Sequence, residues 1–175
     1  MGTLILSTQM TVDGVITVED WFAAEGAHDA ACRALFERSS AMVMGRKTYE
    51  GLAGFWPDQS GAWADLINPM PKFVASRTLA GPLEWNSSLI DGDAVAGVAQ
   101  LKRREGDLAM VGCGDLARAL VDGGAIDELW FWSHPAVWGA GERPFHGGAR
   151  QRLELLGSER FDSGVTLQRY RPVSS

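Results

Sequence analysis

The chain has 175 residues, of which 46% are hydrophobic and 22% charged, and its formal net charge at pH 7 is −6. This size and composition suit one globular domain (1–175), and the negative balance argues against a surface that binds nucleic acid. Two cysteines do not make a disulfide framework in a chain of this length, and no window of the sequence has the length and hydrophobicity of a membrane span. We therefore expect a cytoplasmic protein.

Short apolar runs alternate with segments of helical spacing along most of the chain. The predicted strands cover residues 4–10, 41–44, 72–76, 108–111, 128–132 and 164–170, and the predicted helices cover 29–38, 46–52, 94–104 and 116–121. Alternating strands and helices indicate an α/β fold with a mostly parallel sheet, and the strand-rich end predicts an antiparallel finish. Residues 51–71 are the least regular part of the sequence.

The first strand-to-helix turn whose residues could bind a ligand contains Gly45, Arg46, Lys47 and Thr48. A helix start presents unpaired backbone N–H groups that attract anions, and here two cationic side chains and a hydroxyl would add to them. From spacing alone, this turn is either a phosphate-binding turn or the start of a surface helix with two incidental cations.

A second turn of this kind covers residues 111–116, where glycines flank Cys113 between a buried strand and a helix that Asp115 would cap. It lacks the third glycine of a Rossmann fingerprint, so alone it is a weak indication of nucleotide binding. Two anion-compatible turns on one sheet carry more weight, because ligands bind at the carboxyl ends of such strands.

The order of these segments resembles the dihydrofolate reductase fold, in particular its short stand-alone relatives and the reductase half of the bifunctional riboflavin-biosynthesis deaminase–reductase. The resemblance covers nearly the whole chain, and it implies a three-layer α/β/α domain with a mostly parallel central sheet and an antiparallel C-terminal strand. It rests, in chain order, on Val-Asp-Gly-Val-Ile at 12–16, Met-Gly-Arg-Lys-Thr-Tyr-Glu at 44–50, Ala-Ser-Arg-Thr at 75–78, Met-Val-Gly-Cys-Gly at 110–114 and the late segment 127–145.

The resemblance also implies NADPH as the cofactor. Arg46 and the run 76–78 match the positions that hold the adenosine 2′-phosphate, and Lys47 and Thr48 match pyrophosphate contacts. Ile16 matches the residue whose backbone lies against the nicotinamide. The full set of cofactor residues that the resemblance implies is Ile16, Gly45, Arg46, Lys47, Thr48, Ser76, Arg77, Thr78, Val111, Gly112, Cys113, Gly114, Asp115 and Leu116. Dihydrofolate reductases have a cis peptide between two glycines in the second turn, where this chain has Gly112-Cys113.

Folate reduction requires a carboxylate that hydrogen-bonds the pterin and assists proton delivery. Asp29 lies at the family's distance before the first turn, and Ser133 lies near the position of a hydroxyl that supports the acid. However, residues 21–28 lack the family's tryptophan-to-acid spacing and its proline. Asp29 is therefore either the acid or a first-turn residue that interacts with the helix dipole, and Glu25 and Asp20 are weaker alternatives.

The candidate substrate contacts are Gln9, Trp21, Phe55 and Ser133. Five aromatic residues either line an apolar pocket for a flat ring or pack in the core: Trp21, Phe22, Phe55, Trp56 and Trp138. The riboflavin-pathway relatives need extra cations for a ribose phosphate, and none is found beyond those assigned to the cofactor. The three histidines (28, 134 and 146) are far apart and the cysteines lack nearby partners, so no metal site is predicted.

Two hypotheses follow. The first is an NADPH-dependent reductase of a folate, a pterin or an aminouracil-like heterocycle. The second is a nucleotide-binding module of the same fold without turnover, in which the substrate site has decayed. Stand-alone relatives are often dimers, and a late strand with Trp130 and Trp132 would permit a homodimer.

Overall fold

The computed structural model describes residues 1–145 and 149–173, which form eight strands and five α-helices. The strands are β1 (Leu4–Thr11), β2 (Ala41–Gly45), β3 (Lys72–Ala75), β4 (Ser87–Leu89), β5 (Leu108–Val111), β6 (Glu128–His134), β7 (Arg152–Arg160) and β8 (Thr166–Val173). The helices are α1 (Gly26–Glu37), α2 (Arg46–Ala53), α3 (Ala62–Ile67), α4 (Ala94–Arg104) and α5 (Asp115–Asp122), with a 3-10 turn over Trp56–Asp58.

The strands form one sheet in the order β4-β3-β2-β5-β1-β6-β8-β7. Strand β8 alone runs opposite to the others, because its pairings with β6 and β7 are antiparallel and every other pairing is parallel. One core cluster joins the sheet to α4 and α5, and the other joins its opposite face to α1 and α3. The predicted α/β/α architecture with an antiparallel C-terminal strand is confirmed.

The central strands form because their side chains are buried on both faces, as expected for parallel strands between two helical layers. Residues 41–44 of β2 are all buried, and so are Leu108, Ala109 and Met110 of β5. Trp130 and Trp132 of β6 are also buried, at 8% and 0% exposure, in the core below α1. They therefore do not provide the dimer surface that the sequence suggested.

Three elements were not predicted. Strand β7 is exposed along almost its whole length, and it lacks the continuous apolar run of the central strands. Strand β4 has three residues and two serines, and α3 is a six-residue helix inside the segment interpreted as irregular. Helix α1 begins at Gly26 and not at residue 29. Among the described residues, no helix has the length and apolar character needed to cross a membrane.

Candidate active site

The two strand ends expected to hold the 2′-phosphate lie side by side. Strands β2 and β3 are parallel neighbours in which Gly45 pairs with Ala75, so Arg46 and Ser76 both leave the sheet at its carboxyl edge. The Ser76 hydroxyl accepts the backbone N–H groups of Thr78 and Leu79, at 3.2 and 3.0 Å, which fixes the turn after β3. Parallel strands thus bring together two segments that are separated in sequence.

The two glycine turns are in direct contact. A Cβ atom on Gly112 would lie 2.3 Å from the Thr48 hydroxyl oxygen, and the φ of Gly112 is +88°. Both facts require glycine at this position. Gly45 has an extended backbone, and a Cβ there would meet Leu116 at an ordinary 3.7 Å. The turn after β2 and the turn after β5 therefore form one continuous surface.

Charges on this surface are accessible. Arg46, Lys47 and Arg77 are exposed, and within the described residues Arg46 is held by a surface ion pair, at 3.2 Å, with Glu50 one helical turn later. Such a pair contributes little to stability, so the guanidinium can turn toward an anionic ligand at small cost. The amino ends of α2 and α5 add backbone N–H donors to the same surface.

In the turn after β5, the residue that caps α5 is not the one predicted from the sequence. Gly114 is the N-cap of α5, and Asp115 is the first helical residue, whose carboxylate pairs with Arg118 at 3.2 Å. The prediction that Asp115 caps the helix is wrong, because the chain enters the helix one residue earlier. None of the described peptide bonds is cis, so the Gly112-Cys113 bond is trans.

Cys113 packs beneath the turn. Its sulfur lies 2.6 Å from the Thr8 hydroxyl, and burial raises the pKa of the thiol to about 11. Cys113 is therefore a neutral thiol at physiological pH, which makes it a packing residue and not a nucleophile. Through Thr8 it joins the turn after β5 to the central strand β1.

Ile16 lies in a loop that a neighbouring loop holds in place. Its backbone N–H donates to the Glu142 carbonyl at 2.9 Å. The Asp13 carboxylate accepts the Thr11 hydroxyl and the backbone N–H groups of residues 138 and 139, at 2.6, 3.0 and 2.8 Å. The Thr11 hydroxyl and these two backbone groups lower the pKa of Asp13 to about 2. Asp13 thus fixes the segment that would meet a nicotinamide ring.

The proposed acid, Asp29, lies in the first turn of α1, on the opposite face of the sheet from α5. Its Oδ1 accepts the indole N–H of Trp63 at 2.7 Å, and its Oδ2 faces the Arg33 guanidinium at 3.4 Å. The side chain is 14% exposed. The alternative acids, Glu25 and Asp20, are exposed residues before the helix. The contact with Trp63 was not predicted from the sequence.

Ser133 does not support Asp29. Side chains alternate along a strand, and Trp132 and His134 of β6 point toward α1. Ser133 therefore points to the face of α4 and α5, away from Asp29. The prediction that the Ser133 hydroxyl supports Asp29 is wrong, because Ser133 is one position away from the β6 residues that face α1. A direct contact of Ser133 with a substrate stays a prediction.

A histidine pair occupies the position next to Gln9. The rings of His28 and His134 are 5.7 Å apart, although the sequence suggested that the histidines are distant from one another. His134 Nε2 donates to Gln9 Oε1 at 2.8 Å, and Gln9 Nε2 donates to Cys32 Sγ at 3.5 Å. Burial, and to a lesser extent His28, lowers the pKa of His134 to about 4. The Gln9 amide is thus oriented by a neutral histidine.

His28 is itself held on both sides. Its Nε2 donates to the Ala23 carbonyl at 2.8 Å, and its Nδ1 accepts the Ser163 hydroxyl at 3.0 Å. His146 lies outside the described residues. Within residues 1–145 and 149–173, no group of three His, Cys, Asp or Glu residues is placed to hold a metal ion.

The candidate aromatic residues fall into separate groups. Trp21 packs on His134 with ring centroids 5.2 Å apart, and Phe22 packs on both. Phe55 is 54% exposed and contacts Trp56. No ring contact joins the two groups in the part of the chain that the structure describes. Their roles as substrate contacts stay predictions.

The residues at the carboxyl edge fit a dinucleotide phosphate. The missing side chain of Gly112 lets the turn after β5 pack directly on Thr48, two helix starts supply N–H donors, and exposed arginine and lysine side chains supply charge. Hydroxyl groups come from Thr48, Ser76 and Thr78. These are the donor types by which proteins bind phosphate.

This chain is similar to known proteins in fold and in sequence. Three solved structures share the fold. The first, a protein from Shewanella sp. PV-4 assigned provisionally to riboflavin biosynthesis, is 23% identical, with 99% of this chain and 100% of that chain covered and a TM-score of 0.80. A pyrimidine reductase-like protein from Corynebacterium diphtheriae is 14% identical, with 99% and 93% covered and a TM-score of 0.70.

The third structure is a diaminohydroxyphosphoribosylaminopyrimidine deaminase/5-amino-6-(5-phosphoribosylamino)uracil reductase from Thermotoga maritima. It is 16% identical, with 98% of this chain and 57% of that chain covered and a TM-score of 0.69. No curated protein sequence matches. The family model described as the RibD C-terminal domain matches residues 2–167. This match spans nearly the whole sequence, so the chain belongs to the RibD C-terminal domain family, whose fold is that of dihydrofolate reductase.

Proposed function

We propose that the protein is an NADPH-dependent reductase that transfers a hydride to a heterocyclic small molecule of the folate, pterin or aminouracil type. The observation that carries the proposal is the contact between Gly112 and Thr48, which joins two helix starts into one surface beside Arg46 and Ser76. The family match to a reductase domain supports it.

When bound, the dinucleotide supplies the hydride from its nicotinamide. The protein's part is to hold the cofactor and orient the ring that is reduced. Arg46, with residues 76–78, would bind the 2′-phosphate, and Thr48 and the turn after β5 would bind the pyrophosphate. Ile16 would lie against the nicotinamide. On the α1 side, Asp29 and the oriented amide of Gln9 are the polar groups that we assign to the substrate ring.

One observation favours the second candidate function, a nucleotide-binding module without turnover. Both oxygens of Asp29 already have partners within the protein, which reduces their capacity to assist proton delivery. NADPH oxidation measured with a panel of pterins and aminouracils separates the two functions. Turnover on any of them excludes the binding module.

Cofactor binding is tested by titrating NADPH and NADH against tryptophan fluorescence. Arg46→Ala should weaken NADPH binding by about 1–3 kcal/mol and leave NADH binding nearly unchanged, since only NADPH carries the 2′-phosphate. Arg103→Ala is the control, because Arg103 is an exposed cation in the last turn of α4, at the opposite edge of the sheet. Equal losses for the two cofactors would refute the assignment of Arg46.

We also propose that the protein is a homodimer that buries β7. This edge strand exposes Leu153 and Leu155, at 39% and 55%, beside a hollow of 170 Å³ that Phe131 and Phe145 also line. Exposed apolar edge strands are surfaces for association. Light scattering should give twice the chain mass for the wild type and the monomer mass for Leu155→Lys. A monomeric wild type contradicts the proposal.

A further inference from the structure

The segments on the proposed substrate side of the site are acidic. Residues 19–33 include the loop that packs on His134 and the start of α1, and residues 61–67 include α3, which contacts Asp29. Together these two segments contain five acidic residues and one residue that is lysine or arginine. The acidic residues are Glu19, Asp20, Glu25, Asp29 and Asp65. An anionic ligand near them would meet a field of its own sign.

The one arginine of these segments, Arg33, is already neutralised by the protein. Its guanidinium lies 3.4 Å from the Asp29 carboxylate and 3.4 Å from the Glu37 carboxylate, and its side chain is 29% exposed. To bind an anionic group of a ligand, the guanidinium would have to leave both carboxylates. These would then lie unpaired beside the new anion, so Arg33 supplies no net positive charge to a ligand.

The starts of α1 and α2 differ in the same sense. The first turn of α2 contains Arg46 and Lys47 and has no acidic residue, whereas the first turn of α1 contains Asp29 and has Glu25 as its N-cap. A carboxylate at a helix start interacts with the partial positive charge that would attract an anionic ligand. The start of α1 therefore attracts an anion less than the start of α2 does.

We infer, building on the proposed function in which the ring lies near Gln9 and Asp29, that the reduced molecule carries no anionic tail. Folates carry the carboxylates of glutamate, and phosphoribosylaminouracils carry a phosphate. Simple pterins and ribosylaminouracils have no such group. The acidic segments oppose binding of the first two and not of the others, so the substrate class narrows to rings with a neutral or cationic substituent.

The test compares two matched pairs of ligands by calorimetry on the full-length protein, with and without saturating NADPH. One pair is 6-hydroxymethylpterin and pterin-6-carboxylate, and the other is a ribosylaminouracil without and with its 5-phosphate. At about 50 mM salt the neutral member should bind at least about threefold more tightly in the first pair and about tenfold in the second, because phosphate carries more charge. Both preferences should decrease at about 0.5 M salt, where charges are screened. They should also be present without NADPH, whose own phosphates would repel an anion.

Reversing one charge of the acidic segments tests their role directly. Glu25→Lys changes an exposed residue one helical turn before Asp29, and it should reduce the preference for the neutral ribosylaminouracil by at least about threefold. Glu84→Lys is the matched control, because Glu84 is an exposed acid before β4, at the opposite edge of the sheet. It makes the same change in net charge and should leave the ratio of the two affinities unchanged. Since only ratios are compared, a general loss of affinity in either variant does not affect the result.

Equal or tighter binding of the anionic member in either pair would overturn the inference. So would a preference that does not change with salt, since exclusion by shape does not respond to ionic strength, and so would equal effects of Glu25→Lys and Glu84→Lys. Failure of both neutral ligands to bind also overturns it. If Glu25→Lys does not fold, the salt dependence of the wild type still decides.

NADPH oxidation with the neutral ligands reports on the proposed function separately. A salt-sensitive preference for them without turnover would remove the reductase assignment and leave the charge preference of the site. Turnover of the phosphorylated ribosylaminouracil at the rate of the neutral one would have the opposite effect, because it would support the reductase and contradict the inference.

Discussion

Replacing Gly112 with alanine measures how strongly the two glycine turns depend on each other. The residue has a φ of +88°, and an L-residue in the left-handed region costs roughly 1–2 kcal/mol. The new Cβ would lie 2.3 Å from Oγ1 and 3.3 Å from Cβ of Thr48. Overpacking of this kind costs about 1–3 kcal/mol, so the total loss in the free energy of unfolding is about 2–5 kcal/mol.

Thermal denaturation followed by far-UV circular dichroism measures this loss. In a chain of this length each kcal/mol lowers the Tm by about 2–4 °C, so Gly112→Ala should lower it by roughly 4–20 °C. NADPH affinity should fall as well, because relief of the clash separates the turns. Gly114→Ala is the control in the same turn: its φ is −82° and no atom lies within 4 Å of the new Cβ. It should cost no more than about 1 kcal/mol, since Gly114 is the N-cap of α5 and alanine is less favoured there than glycine.

The two costs can be separated with Thr48→Ala in the Gly112→Ala background. This change removes the hydroxyl and the methyl group and leaves Cβ at 3.3 Å. The steric part of the loss should be recovered and the backbone part should remain. A Gly112→Ala protein with the Tm of Gly114→Ala would refute the reasoning, and so would full recovery in the double variant.

Two further predictions concern buried titratable groups. Burial and His28 lower the pKa of His134 from 6.5 to about 4. The unfolded chain therefore binds the proton first as the pH falls, and stability should decrease between pH 6.5 and 4 by up to about 3 kcal/mol. In urea unfolding across this pH range, the free energy of unfolding should fall less steeply for His134→Gln than for the wild type. Equal slopes for the two proteins would contradict a lowered pKa of His134. Lys72 donates to the three carbonyls of residues 67, 68 and 70, at 2.5, 2.9 and 2.8 Å, and its ammonium lies 4.1 Å from the ring centre of Trp85. Lys72→Met should lower the free energy of unfolding by about 2–4 kcal/mol in chemical denaturation, without change in NADPH affinity; an unchanged stability would show that these contacts contribute nothing.

The sequence predicted the elements whose residues are buried on one or both faces. Strands β2 and β5 stand out because they are continuous apolar runs that end at glycine, and the turns after them follow from that pattern. Strand β7 has only a short alternation over residues 152–155 and no continuous apolar run, and it forms because β8 pairs with it. Tertiary pairing of this kind leaves no local pattern in the sequence.

The meeting of the two glycine turns could be anticipated further than the contacts around α1. Residues 45–48 and 111–116 lie at strand ends, so their meeting at one sheet edge follows from parallel topology. The contact between Trp63 and Asp29 depends on the packing of α3 against α1, and the pairing of His28 with His134 depends on the packing of α1 on β6. The prediction that Ser133 supports Asp29 is wrong because adjacent strand residues point to opposite faces of the sheet, so an error of one position reverses the predicted face.

Strand β1 has a consequence for how this sequence can change in evolution. Its consecutive residues Thr8 and Gln9 contact Cys113 on one face of the sheet and His134 on the other. Inserting or deleting one residue before them would reverse both faces at once, so Thr8 would meet the histidine and Gln9 the turn after β5. The length of β1 should therefore be invariant among functional descendants of this chain.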